Sequence, residues 1–504
     1  MPSRRELVRR LAVGVAAATA VAAGAVAWSS TLLGEYSVMD MGAGHGAPVD
    51  HAGHGGSGSG ASAASGTVGA TGAVSVTSLT ADPDRPADVR VELTARQETV
   101  DVPGGRAIEG YTVNGTSPGP TIRARQGDLV EVVFVNESVA AGATLHWHGL
   151  DLPNAADGVA GVTQDAVPVG GSYVYRFVAE DAGTYWYHSH QVSHEQVVGG
   201  LLGAVVIEPA EPPAANLATD LDVTALLHVY GGQHTLNGRA DDEHVAAAPG
   251  ETVRVRVINT DQGTAPVWSD EPFRVLAIDG HDVNEPSDVD GRKLLIPAGG
   301  RADVAVRAPD HGAVGLHVGG ARRVLVGDPA ADVPPAPQAT ETLDLLAYGE
   351  PAPLGFDPAS ADRTYDYVIG RRFGLLDGRP GNFWTINGRL FPDVPMFHVT
   401  EGDVVVMRIV NQSGDVHPMH LHGHHVVVVS RDGVAASGSP WWVDSLDVHP
   451  GESYQIAFVA DNPGIWSDHC HTLPHAVDGL VAHVMYDGVT TPFTINGAAG
   501  NQPE

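Results

Sequence analysis

With a single cysteine, Cys470, in 504 residues, the chain excludes any intrachain disulfide, although its first residues look like those of an exported protein, in which disulfides are permitted. A lone thiol is either a small buried apolar group or a reactive one, and its neighbours decide which. Positive charge is also scarce. There are 28 basic against 60 acidic residues, a net charge of -32, and Lys293 is the only lysine. Such a field repels nucleic acid and anionic membrane surfaces, so nucleic acid is not an expected partner. It serves solubility and mildly favours cationic or neutral substrates over anionic ones. Amphipathic helical periodicity is almost absent, which leaves strands as the main element.

The one long apolar run, from residue 11 to about residue 28, follows Ser3-Arg4-Arg5-Glu6-Leu7-Val8, which resembles a twin-arginine export signal. Ala25-Val26-Ala27 offers a small-residue cleavage site. Uncleaved, the run through Leu33 is just long enough to span a bilayer. Residues 1–28 are therefore expected to be a signal or an anchor, and the protein to be extracytoplasmic, either secreted or anchored at the cell surface.

Residues 29–74 are rich in Gly, Ala, Ser and His and poor in large apolar groups, so they read as a flexible tether. Met39, Met41, His45, His51 and His54 on that tether are either incidental or a loose trap for copper. Beyond it runs a weak threefold repeat. Segments 126–136, 249–259 and 401–411 each lead from a glycine-acid turn into an alternating strand that ends in asparagine. A second echo follows each, at 171–177, 300–306 and 451–458. With a hydrophobic content of 43% the chain can bury a core in several domains. Short alternating strands and frequent Gly and Pro make these three β-sandwiches, at 75–211, 212–338 and 339–493, with a polar tail at 494–504. The proline-rich stretches 208–213 and 331–337 mark the boundaries.

Ten of the 25 histidines fall in four tight clusters, two in the first domain and two in the third. They are His146-Trp147-His148, His188-Ser189-His190, His417-Pro418-Met419-His420-Leu421-His422 and His469-Cys470-His471 with His475. On an extended segment, alternate residues point to one side, so each His-x-His presents two imidazoles together. A lone pair of this kind is more often an ordinary histidine pair than a ligand set, but four such clusters are not. Many imidazoles around one thiol suit copper, whereas structural zinc prefers a closed set of four ligands.

The four clusters, their order and their placement in the first and last domains resemble the multicopper oxidases over roughly residues 75 to 490. The resemblance implies three consecutive cupredoxin-like Greek-key sandwiches and four copper ions. By position, His417, Cys470 and His475 look like the ligands of the type 1 copper that takes electrons from substrate. His146 and His420 resemble the type 2 ligands, and His148, His188, His190, His422, His469 and His471 those of the type 3 pair. Cys470 then has a cluster ligand bonded on each side. Asp157 matches the family's aspartate near the type 2 copper, where it helps supply protons. The family's axial position, ten residues after the cysteine, is Leu480, which cannot ligate, and its lack of a thioether favours a high potential. Met485 is out of register for that place. No acidic residue occupies positions 473 or 476, where relatives carry a second proton donor, so Asp468 and Asp478 stand as unranked candidates. The middle domain has six histidines without paired spacing and reads as a spacer. His194, His398, His424, His425, His449 and His483 read as surface or supporting residues.

The implied activity is four one-electron oxidations of a phenol or aromatic amine coupled to reduction of dioxygen to water. The alternatives are a metal-ion oxidase acting on Cu(I) or Fe(II) and a non-catalytic copper-binding scaffold. Specialised cuprous oxidases carry methionine-rich insertions, whereas Met396, Met407, Met419 and Met485 form no cluster in the third domain, and a scaffold would have lost ligands. A two-domain nitrite reductase would place its thiol in the first domain.

Overall fold

The computed structural model describes Trp28, residues 32–42 and residues 72–504. The arginine pair, most of the apolar run, His45, His51 and His54 lie outside the described residues. Three consecutive β-sandwiches follow one another along the chain. The first packs two four-stranded sheets, the second a seven- and a six-stranded sheet, and the third a seven- and a five-stranded sheet.

The threefold repeat is the framework of all three. In the first sandwich, Leu129–Asn136 pairs parallel with Val89–Val100 and antiparallel with Ser172–Val178. Thr252–Asn259 does the same with Leu221–Tyr230 and Arg301–Arg307, and Val404–Asn411 with Arg363–Leu376 and Ser453–Val459. The two sequence echoes are thus neighbouring strands in each sandwich. Alternation sends Val130, Val132 and Phe134 into the core, and each such side chain contributes about 2 kcal/mol by leaving water.

The turn chemistry recurs as well. Gly127, Gly250 and Gly402 have φ of +90°, +84° and +91°, the left-handed region that side chains disfavour. The acid that follows closes the turn through its side chain. Asp128 accepts from Arg125 N at 2.8 Å, Glu251 from Ala248 N at 2.7 Å and Asp403 from Thr400 N at 2.8 Å. At the far end of each strand, the buried Asn136, Asn259 and Asn411 donate through Nδ2 to loop carbonyls, among them Val167, Pro297 and Val448. Buried carbonyls there would otherwise go unpaired.

Residues 32–42 depart from the expectation of a flexible tether, and the polar tail is packed as well. Within the tether, residues 32–42 pack on the body of the protein: Val38 and Met41 are buried, and Tyr36 forms a two-way bridge with Ile495. The average composition of 29–74 hid three apolar side chains, Tyr36, Val38 and Met41, that are spaced to reach one surface. Met41 is therefore packing and not a mobile thioether. The tail is docked too. Asn501 is fully buried and donates to Asp165 Oδ1 and to Thr494 O at 2.8 Å each.

Candidate metal centres

The thiol site lies in the third sandwich. Strand His417–Leu421 pairs with Ile465–Cys470, and His475 comes from the short helix Leu473–Val477 directly after the thiol. Cys470 Sγ is 3.6 Å from His417 Nδ1 and 3.6 Å from His475 Nδ1, and those two nitrogens are 3.2 Å apart. Three donors this close fit one small ion. Burial pushes the Cys470 thiol up and lowers His417 to about 3, so the imidazole is neutral and the thiolate forms only against a cation. His475 is half-buried and has the most exposed imidazole of the site. Leu480 is fully buried, accepts from Cys470 N at 3.1 Å and donates from its own N to His475 O at 3.0 Å. Met485 is buried on the strand Val481–Tyr486, opposite Ile465.

The other eight histidines meet between the first and third sandwiches. Three sets have ligand atoms within 4.8 Å of one another: His146, His148 and His420; His148, His188 and His471; and His190, His422 and His469. The six imidazoles that the sequence treats as one group therefore divide into two triads, beside the pair His146 and His420. His146 stacks on His422 at 3.8 Å between centroids, and His148 on His420 at 3.7 Å.

Most of these rings are tied to an oxygen by one nitrogen. His146 Nδ1 meets Asp157 O at 2.9 Å, His148 Nε2 meets Asp444 Oδ1 at 3.0 Å, and His188 Nδ1 meets Ser189 O at 2.9 Å. His420 Nδ1 meets Asp444 O at 2.9 Å, and His422 Nδ1 meets Asp157 Oδ1 at 3.1 Å. A ring N–H donating outward leaves the other nitrogen with its lone pair aimed inward. Those inward atoms, His146 Nε2, His148 Nδ1, His188 Nε2 and His420 Nε2, are buried without a hydrogen-bond partner. Orphaned acceptors in a dry core are costly unless a cation satisfies them. Burial also holds His148, His188, His190, His422, His469 and His471 well below the usual histidine range, which keeps them neutral. The residues present fit copper.

Asp157 is buried and reaches two of these imidazoles at once, His146 at 3.0 Å and His422 at 3.1 Å. Among the described residues, neither Asp468 nor Asp478 has a side-chain hydrogen bond to the cluster. Asp468 stands on the strand Ile465–Cys470 one residue before His469, and alternation turns it to the other face. Burial raises it to about 7.

Two further groups carry no signal in the sequence, and His424 and His425, expected as surface or supporting residues, prove to be buried. Asp444 supports His148 and His420, and Arg301 of the middle sandwich clamps Asp444 with both ends of its guanidinium. The middle domain thus does more than space the outer two. Gly149 is needed there, because a Cβ would run into that guanidinium. His425, 3.3 Å from Asp444 Oδ2, joins the same buried network, while His424 donates to or accepts from the Tyr486 hydroxyl at 2.7 Å. From the tail, Pro503 O lies 3.2 Å from His190 Nδ1, and Glu504 Oε1 lies 3.9 Å from His469 Nδ1. No local spacing marks Arg301, Asp444 or Pro503, which lie 143, 296 and 313 positions from Asp444, His148 and His190 respectively.

Two family models described as multicopper oxidase match residues 94–212 and 371–488. The multicopper oxidase MmcO of Mycobacterium tuberculosis is 29% identical over 459 residues, covering 79% of this chain and 87% of its own. Laccase-1 of Botryotinia fuckeliana is 28% identical, over 73% of this chain and 76% of its own. Among solved structures, a multi-copper oxidase from Pseudomonas thermotolerans superposes with a TM-score of 0.64 at 28% identity, covering 79% of this chain and 98% of that one.

Proposed function

The chain belongs to the multicopper oxidase family, copper-dependent oxidoreductases with dioxygen as electron acceptor, and we propose that its electron donors are phenols and aromatic amines. Copper supplies the redox chemistry, one-electron uptake from the donor and four-electron reduction of dioxygen to water.

We assign His417, Cys470 and His475 to a type 1 ion, His146 and His420 to a type 2 ion, and the two triads to a type 3 pair, four ions in all. The observation that carries this assignment is the placement of Cys470 between His469 and His471. One covalent path through the backbone joins the thiol site to both triads. His475, with its half-buried imidazole, is the side chain that meets the donor. Asp157 holds His146 and His422 by their Nδ1 atoms and is the carboxylate we assign to carry protons to the cluster. Asp444 fixes the orientation of His148 and His420.

An organic donor is favoured over a metal ion by the methionines. Met407, Met419 and Met485 are buried and Met396 is half-buried, so no exposed thioethers gather in the third sandwich to hold a soft cation. The twin-arginine-like start supports export, and with it a place outside the cytoplasm, secreted or held by residues 1–28. Among the described residues no helix is long and apolar enough to cross a membrane.

The test is a steady-state comparison of a phenol, Fe(II) and Cu(I) as donors for oxygen consumption by the copper-loaded protein, with copper counted per chain. The phenol is expected to give the highest kcat/KM, with four copper ions bound. A metal ion preferred over every phenol would overturn the donor class, and fewer than four ions in the active protein would overturn the ligand assignment.

A further inference from the structure

The strands Arg363–Leu376 and Arg379–Ile386 form a long hairpin on the third sandwich. Its register sets Arg371 opposite Trp384 and Phe373 opposite Asn382. Period-two alternation therefore puts Trp384, Arg371 and Phe373 on one face. Along that face, exposure rises outward from the thiol site. Trp384 is 2% exposed and packs its ring 4.6 Å from His417 and 4.5 Å from His475. The Arg371 guanidinium lies 4.4 Å from the Trp384 centroid, with its side chain 41% exposed. Phe373 is 76% exposed, the highest value of any large apolar side chain among the described residues.

Charge on this hairpin runs against that of the whole molecule. Residues 363–392 contain five arginines and two aspartates, in a chain where acids outnumber bases by 60 to 28. A guanidinium over an indole is held in place by the ring and can turn its outer N–H groups to donate to a planar anion. Arg371 Nε donates to Asn382 O at 3.2 Å within the hairpin, and its Nη1 pairs with Asp415 at 3.3 Å, a carboxylate 51% exposed. An ion pair so open to water is weak and exchanges readily for another carboxylate.

We propose that this hairpin face is a docking rim for small anionic aromatics, phenols bearing a carboxylate or sulfonate, with Arg371 receiving the anion and Phe373 covering the ring. The proposal rests on the reading of His417, Cys470 and His475 as the site of electron uptake. It reverses, at that site, the preference for cationic or neutral donors that the net charge alone suggests. Arg371 is a specificity-determining residue here, and Asp415 competes with the ligand for it.

Benzoate and its neutral counterpart benzamide, neither of them a donor, are the binding probes, used on the copper-loaded protein by calorimetry. Benzoate is expected to bind more tightly than benzamide and to weaken as salt rises. Arg371→Gln should reduce the benzoate-to-benzamide affinity ratio about tenfold, Arg371→Lys should restore part of it, and Asp415→Asn should increase it. In kinetics, the ratio of kcat/KM for 4-hydroxy-3-methoxybenzoate over 2,6-dimethoxyphenol should fall by a similar factor in Arg371→Gln. A structural role alone would move both donors together. Equal affinity for the two probes, or an unchanged ratio in Arg371→Gln, overturns the rim. Failure of the underlying reading shows separately, as a Cys470→Ser protein that still oxidises 2,6-dimethoxyphenol whatever benzoate does.

Discussion

Arg301 of the middle sandwich holds Asp444 of the third by its two terminal guanidinium nitrogens, at 2.7 and 2.5 Å, with neither side chain exposed. Burial alone would raise the Asp444 carboxyl, but the Arg301 charge together with hydrogen bonds from His148, His420 and His425 outweighs it and keeps the group well below the usual carboxylate range. The same carboxylate meets His148 of the first sandwich at 3.0 Å, so all three domains join at one charge. Removing one partner of such a pair leaves the other charged and unsolvated. Arg301→Met is therefore expected to destabilise the protein by about 3 to 5 kcal/mol. The denaturant midpoint measures it, and Arg301→Met with Asp444→Asn should recover part of the loss. A midpoint within experimental scatter of the parent would show that the clamp contributes nothing.

The two sites are separable by variants. Cys470→Ser removes the thiolate, so the intense visible absorption and all substrate oxidation should vanish. His148→Ala, by contrast, alters a triad and leaves the thiol site whole. There the visible band should remain and should bleach with a phenol under argon, while oxygen consumption stops. If His148→Ala consumes oxygen at the parental rate, the triads do not act as one cluster.

The parts of this molecule that the sequence displayed are those carried by local spacing. Alternating valines in 129–136 and its echoes revealed strands, and His-x-His pairs revealed donors because the pleat itself brings alternate side chains together. Asp157 was legible only through its place after the first pair. Arg301 and Asp444 were not legible at all, because each acquires its meaning from a partner in another domain, and Glu504 was not because only the path of the tail brings it back to His469. The packing of residues 32–42 is hidden for a related reason: a composition average over 29–74 cannot register that Tyr36, Val38 and Met41 have a surface to pack on.

Asp447 gives a pH-dependent expectation. Its Oδ2 accepts from Thr264 at 2.6 Å, its Oδ1 is buried without a partner, and burial raises the carboxyl to about 6 from an ordinary 3.8. A carboxyl whose folded pKa is raised favours the fold fully below about pH 4, and that contribution is lost as pH climbs through 6. Above that window the parent carries a buried charge. Asp447→Asn keeps an acceptor for Thr264 without the charge, so it should be more stable than the parent by up to about 3 kcal/mol at pH 8 and no more stable at pH 4. Thermal midpoints of both proteins across that range check it. A gap that stays constant with pH would show that Asp447 does not titrate with folding.

The family resemblance assigns Leu480 to the axial position, and its backbone is tied to the thiol site. Its carbonyl accepts from Cys470 N at 3.1 Å, its N–H donates to His475 O at 3.0 Å, and its side chain is fully buried. A thioether in that position donates electron density and stabilises Cu(II) more than Cu(I), whereas leucine does neither. Leu480→Met should therefore lower the type 1 potential. A weak axial bond of about 1 to 2 kcal/mol corresponds to roughly 40 to 90 mV for a one-electron couple. Easily oxidised phenols should still turn over, but those of high potential should slow, because the driving force for the first electron falls. Methionine and leucine are close in volume, so folding should survive the exchange. Redox titration of the visible band in both proteins, followed by rates on a graded series of phenols, makes the comparison. An equal or higher potential in Leu480→Met would place residue 480 away from the copper and remove the axial assignment.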